Sequence, residues 1–161
     1  MKVKDVMTAE PKTCTAEDTL AKAAGLMWEN DCGILPVVFD DKVVGLLTDR
    51  DICMAAVLKG MQLSDMAVSE TITGQVFACK PNDELTTALN TMRTNKVHRL
   101  PVIASDGTLQ GLLSMNEVVL RAEEQKDKKI PEVSYGDVVE TYKAICQQRV
   151  PIEQAQSAAG S

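Results

Sequence analysis

Aromatic side chains make up only 3% of the 161 residues: one Trp, two Tyr and two Phe. A core without rings must be built from Val, Ile, Leu, Met and Ala, and the eight methionines suit that task as adaptable fillers. The same scarcity leaves few platforms on which bases could stack, so no nucleic-acid partner is expected. Histidine is scarcer still, with His98 alone. The five cysteines, at positions 14, 32, 53, 79 and 146, are odd in number and show no C-x-x-C spacing. Neither a disulfide framework nor a zinc motif is therefore expected, and the thiols read as reduced and mostly buried. No window approaches a membrane-spanning apolar run, and Met1-Lys2-Val3-Lys4-Asp5 lacks the apolar stretch of a signal peptide, so the expectation is a cytosolic protein with no membrane contact. Positive charge is in deficit too. Seventeen basic residues face 23 acidic ones, for a net charge of −6 and a pI near 4.8. That field repels phosphate backbones, although a small anion needs only a local basic cluster. Also absent are a P-loop, a metal-ligand cluster and a nucleophile with its base, so no catalytic residue and no metal ligand is assigned.

What the chain does contain is a repeat. At an offset of 65, Val3, Cys14, Leu20, Ala23, Met27 and Pro36 fall on Val68, Cys79, Leu85, Ala88, Met92 and Pro101. One extra residue in the second turn moves the offset to 66, and Gly45-Leu46-Leu47 falls on Gly111-Leu112-Leu113. Each copy reads alike. Thr15-Ala16-Glu17-Asp18 resembles a capping box, and Leu20, Ala23, Ala24 and Met27 then follow helical spacing, as do Leu85, Ala88, Leu89 and Met92. Leu35 to Phe39, the polar turn Asp40-Asp41-Lys42, and Val43 to Leu47 predict a β-hairpin, matched by Leu100 to Ile103 and Leu109 to Leu113. A second helix opens at Thr48 or Ser114, and Lys12–Cys14 and Val76–Cys79 suggest short leading strands. The expected architecture is α/β (α+β): two strand-helix-strand-strand-helix units, 1–62 and 63–125, packed sheet to sheet about a pseudo-two-fold axis. Neither unit buries enough surface to stand alone, so clefts should form where the two meet.

Residues 126–161 lie outside the repeat. Lys126 to Pro131 reads as a polar hinge, and Ser134 caps an amphipathic helix carrying Tyr135, Val138, Val139, Tyr142, Ile145 and Cys146. Its apolar stripe must be covered by its own domain or by a partner protein. Pro151 to Ser161 reads as a tail.

The string Gly45-Leu46-Leu47-Thr48-Asp49-Arg50-Asp51-Ile52 carries the most chemistry. A hydroxyl sits at a helix start, and Asp51, one turn on, can accept two hydrogen bonds from a vicinal diol such as ribose. The plain alternative is a capping box, Thr48-x-x-Asp51, which Ser114-x-x-Glu117 matches even better. The two readings are compatible.

The duplicated unit, with Leu35-Pro36-Val37-Val38 followed by that string, resembles a tandem pair of CBS domains, the Bateman module, over residues 1–125. Asn95 to Ile103 is similar to a nucleotide-binding segment in the γ subunits of AMP-activated protein kinase. The resemblance implies a non-catalytic sensor of AMP, ADP or ATP, or less often of NAD or S-adenosylmethionine, with no required cofactor. It maps ribose recognition onto Thr48 and Asp51, the adenine slot onto Val76 and Phe77, and phosphate binding onto His98 and Arg99, with Arg50 adding charge. The symmetry-related site would use Pro11, Lys12, Ile34, Ser114 and Glu117. There Gly33 and Ile34 replace His98 and Arg99, and the longer Glu117 replaces the aspartate, so occupancy should be asymmetric. The family commonly pairs into a disc, which implies a homodimer. Two rival readings stay open: a scaffold that associates without ligand, and an enzyme acting on nucleotides, which only turnover surviving purification would support.

Overall fold

In the computed structural model, which describes residues 1–72, 75–124 and 131–147, both repeats form the same helix, hairpin and helix. Residues 126–130 of the expected hinge Lys126–Pro131, and the tail from Pro151, lie outside those residues. In the first unit, helix α1 (Leu20–Glu29) precedes strands β2 (Ile34–Phe39) and β3 (Lys42–Thr48) and helix α2 (Asp49–Lys59). The second unit has α3 (Leu85–Asn95), β4 (Arg99–Ile103), β5 (Leu109–Ser114) and α4 (Met115–Arg121). A two-residue strand, β1 (Thr8–Ala9), pairs antiparallel with β5, and helix α5 (Tyr135–Cys146) closes the described chain.

Local chemistry explains these elements. Asp40 and Asp41 both take positive φ, the two-residue turn whose twist matches a right-handed hairpin. The Thr15–Asp18 segment is not the helix cap. Asp18 accepts a bond from the Thr15 amide at 2.9 Å, closing a turn, and Thr19 caps α1 instead by accepting from the Lys22 amide. The leading strands shrink to single parallel bridges, Cys14 to Val37 and Cys79 to Val102. Proline is the cause. Continuing either ladder backwards would require an amide proton from Pro36 or Pro101, and neither has one.

Each unit has its own aliphatic core. Leu20, Met27, Leu35 and Leu47 are buried in the first, and Leu85, Met92, Leu100 and Leu113 in the second. The expected boundary at 62/63 divides the repeats along the chain, but in space the leading segments cross. Val3 and Val6 belong to the core of the second unit, where the Val3 amide donates to Asp83 O at 3.0 Å and the Leu85 amide to Met1 O at 2.9 Å. Met66 and Val68 complete the first core in the equivalent way, with the Leu20 amide donating to Met66 O at 2.9 Å and the Val68 amide to Asp18 O at 2.8 Å. The two hairpins meet at their turns. Lys42 bridges Thr108, and the Leu109 amide donates to Asp41 O at 3.2 Å.

Helix α5 begins at Ser134 as its sequence predicts and lies against α3 and α4. Half of the expected stripe is covered: Ile145 is buried and Val138 and Tyr142 pack on the second core, whereas Tyr135 and Val139 stay exposed. Arg93 anchors the helix. Its Nε donates to the fully buried Thr141 hydroxyl at 2.8 Å and its Nη2 to Asp137 O at 3.2 Å. The Ser134 amide and hydroxyl both donate to Asp137 Oδ2, which with Arg93 nearby holds that carboxyl below the ordinary aspartate range.

A Cβ on Gly111 would lie 2.5 Å from Met7 Sδ and 2.8 Å from the Thr8 carbonyl, whereas one on Gly25, inside α1, would meet nothing within 4 Å. Thermal denaturation should therefore show Gly111→Ala destabilised, with β1 pushed off β5, and Gly25→Ala stabilised by about 0.5–1 kcal/mol. Because the native pKa of Asp137 is depressed, its contribution is complete above the ordinary aspartate value of ~3.9 and is lost as pH falls through the native one. Stability measured from pH 7 down to pH 2 should fall less in Asp137→Asn than in the parent protein.

Candidate functional site

The hairpin and second helix of the first unit place the Gly45–Asp51 string at a strand end, with Gly45 against Ile72 as Gly111 of the second unit is against Met7 and Thr8. Thr48 caps α2, and the two side chains close a capping box. The Thr48 amide and hydroxyl donate to Asp51 Oδ2 at 2.9 and 2.7 Å, and the Asp51 amide returns to Thr48 Oγ1 at 3.1 Å. All three bonds involving the carboxylate and hydroxyl leave Asp51 Oδ1 outside the cap, on a half-buried side chain. Arg50 is exposed in the first turn of α2, where its amide donates to Asp49 Oδ1 at 2.7 Å.

The symmetry-related box is more fully engaged. Ser114 donates through both its amide and its hydroxyl to Glu117 Oε2, while Oε1 accepts from the Thr8 hydroxyl at 3.2 Å. Both carboxylate oxygens of Glu117 are thus held within the chain. Ile34 is buried, Pro11 is half-buried and Lys12 is exposed.

Arg99 starts β4, opposite Ser114, and is half-buried. It stands between two hollows. One, of about 500 Å³, lies on the first unit between α1 and α2 and includes Gly33, Asp49 and Ile52. The other, of about 200 Å³, is formed with His98, Ser114, Asn116 and Tyr142. His98 is exposed, and its ring centroid lies 6.0 Å from that of Tyr142. The contribution of Tyr142 was missed by sequence reasoning, which treated α5 as separate from the repeat. Its only signal was a ring in the apolar stripe.

Neither hollow is lined by Thr48, Asp51, Val76 or Phe77. Val76 and Phe77 are half-buried, and Phe77 packs against the second core. The structure thus brings Arg99 beside Asp49, the residue next to Thr48, and His98 beside Arg99, but leaves the ribose pair engaged in its cap.

The sequence profile of the CBS domain matches residues 3–58 and again 68–124. The chain belongs to the CBS-domain family. This tandem CBS pair is 32% identical over 145 residues to hypoxic response protein 1 of Mycobacterium tuberculosis, covering 89% of the chain and 92% of that protein. It is 32% identical over 132 residues to inosine-5'-monophosphate dehydrogenase of Thermoplasma acidophilum, but spans only 24% of that enzyme. The crystal structure of hypoxic response protein I, with two coordinated zinc ions, superposes with a TM-score of 0.69 at 28% identity, covering 76% of this CBS pair and all of that chain. Two more distant structures share the fold. CBSX2 in complex with AMP has a TM-score of 0.64 at 24% identity, over 74% of this chain and 93% of that one. The CBS pair of MJ0100 with 5'-methylthioadenosine and S-adenosyl-L-methionine has a TM-score of 0.68 at 20% identity, over 74% and 94%. Among the described residues of this CBS pair, no helix is long and apolar enough to cross a membrane, and no three His, Cys, Asp or Glu side chains gather as metal ligands.

The thiols divide more evenly than their sequence suggests. Cys14 and Cys79, at equivalent core positions, are buried, and burial pushes them up to about 11 and about 12. Cys32 is half-buried, and Cys53 and Cys146 are exposed because they lie on outward faces of α2 and α5. A thiolate is the reactive form, so Cys14 and Cys79 should be inert at neutral pH. Titration of dilute protein with a thiol-reactive chromophore should label Cys53 and Cys146 in the folded monomer, and Cys14 and Cys79 only after unfolding.

Proposed function

We propose that this CBS pair is a non-catalytic regulatory module that binds AMP, ADP or ATP between its two units and pairs with a second copy. The observation that carries this reading is the position of Arg99: a guanidinium from the second unit borders the same hollow as Asp49 in the first turn of α2. A ligand whose diol meets Asp51 Oδ1 and whose phosphate meets Arg99 would bridge the units and favour one relative arrangement of them over another. His98 and Arg50 would add positive charge, and Val76 and Phe77 would flank the base. AMP in the CBSX2 structure supports an adenosine ligand, and S-adenosyl-L-methionine in MJ0100 makes that compound and NAD the next to test. The fully engaged Glu117 and the buried Ile34 support a weaker second site.

A specific observation favours the second reading, a scaffold that associates without ligand. Thr48 and Asp51 already satisfy one another, and a capping box needs no nucleotide to justify it.

Isothermal calorimetry with AMP, ADP, ATP, NAD and S-adenosylmethionine separates the two. The sensor reading expects one strong site, with Arg99→Ala and Asp51→Ala each weakening it by about 1.5–3 kcal/mol, roughly tenfold or more. It also expects the melting temperature to rise with nucleotide. Affinity unchanged in both variants refutes the assigned site, and no heat or melting shift with any of the five compounds leaves the scaffold reading in its place.

A further inference from the structure

We propose that the open groove between α1 and α2 is the seat of helix α5 from a second copy of this chain, so that α5 grips its own second unit with one face and the partner's first unit with the other. This interface rests on the reading of the chain as a pairing module and names the surfaces that pair; its seat shares with the assigned nucleotide site the hollow that Arg99 borders, so it is tested on ligand-free protein.

Repeat symmetry locates the seat. Leu89, Met92 and Arg93 on α3 and Val118 on α4 correspond to Ala24, Met27 and Trp28 on α1 and Ile52 on α2. In the second unit this face is covered by α5: Leu89, Met92 and Val118 are buried in one cluster with Ile145, and Arg93 is bonded to Thr141. In the first unit the matching residues border the hollow of about 500 Å³, and no described helix lies across it. Trp28, in the place of Arg93, is 89% exposed, and on α2 Val57 and Leu58 are 72% and 76% exposed. A tryptophan within an exposed apolar patch of this kind marks an interaction surface.

Two observations choose the occupant. First, α5 has an unused stripe. Tyr135, Val139, Lys143 and Cys146 recur at helical spacing on the side away from Thr141 and Ile145, and Tyr135 and Val139 are 57% and 56% exposed. Second, the seat differs from its counterpart in charge and depth. Asp31 and Asp49 border it where the second unit has Lys96 and Met115, which with Arg99 leaves the seat a net charge of −1, and Ala24 replaces the bulkier Leu89. A stripe that carries Lys143 among apolar residues complements a deeper hollow of net negative charge. Each copy has one seat and one α5, so a two-fold arrangement fills both and leaves nothing open for further growth.

Trp28 is the chain's sole tryptophan, so its emission reports on the seat directly. With the full-length protein, raising the concentration should convert monomer to dimer in sedimentation and shift Trp28 emission to the blue. A short bis-maleimide should link Cys53, in the seat, to Cys146, on the stripe, between isotopically labelled and unlabelled chains. Val139→Glu should weaken dimerisation by at least about tenfold and keep the emission red. Since Val139 is exposed, the variant should keep its circular dichroism spectrum and melting temperature, and Trp28→Glu repeats the test from the other side should it not. A dimer that survives both substitutions with no Cys53–Cys146 link overturns this interface while leaving the pairing reading intact. A chain that stays monomeric at hundreds of micromolar, with unshifted emission, overturns both.

Discussion

The crossed docking of the two leading segments is the constraint on which the rest of the molecule depends. Residues 1–7 complete the second core and 66–72 the first, each through backbone bonds to the entry of a helix, the Leu85 and Val3 amides in one case and the Leu20 and Val68 amides in the other. A short helix and hairpin expose too much apolar surface to persist alone, and here each is finished by a strip of chain that belongs to the other end of the repeat. The units therefore cannot part without opening both cores. That crossing keeps Arg99 and the first turn of α2 at the border of one hollow.

Symmetry of the backbone is broken by side chains. The two capping boxes share a design, but a carboxylate one methylene longer reaches back to Thr8 and closes its site, whereas Asp51 keeps one oxygen outside its cap. His98 and Arg99 stand where the first unit has Gly33 and Ile34. Arg93 fastens α5, and Trp28 at the matching position is exposed among the described residues. A duplicated fold thus offers two unlike capping boxes and two unlike helical faces, rather than matched pairs.

Much of this was legible from residue order alone. The repeat, the hairpins, the Thr48 and Ser114 caps and the start of α5 at Ser134 all rest on local spacing, which a linear reading detects. The helix cap at Thr19 rather than Thr15 was not, because both residues precede a helix and only the backbone decides which one meets it. Pro36 signalled a restricted strand, but that it cuts the pairing with Cys14 to one bridge depends on which side of β2 lacks the amide proton. The crossing of the leading segments, and Tyr142 beside His98, join residues far apart in sequence, and no spacing rule encodes such contacts.

If the crossed segments bind the two units into one cooperative structure, calorimetric unfolding of the full chain is the most direct examination of that claim. The account predicts a single transition whose calorimetric and van't Hoff enthalpies agree, displaced as a whole by a core truncation in either unit, Leu35→Ala or Leu100→Ala. Two resolved transitions, each moved by only one of those substitutions, would contradict it.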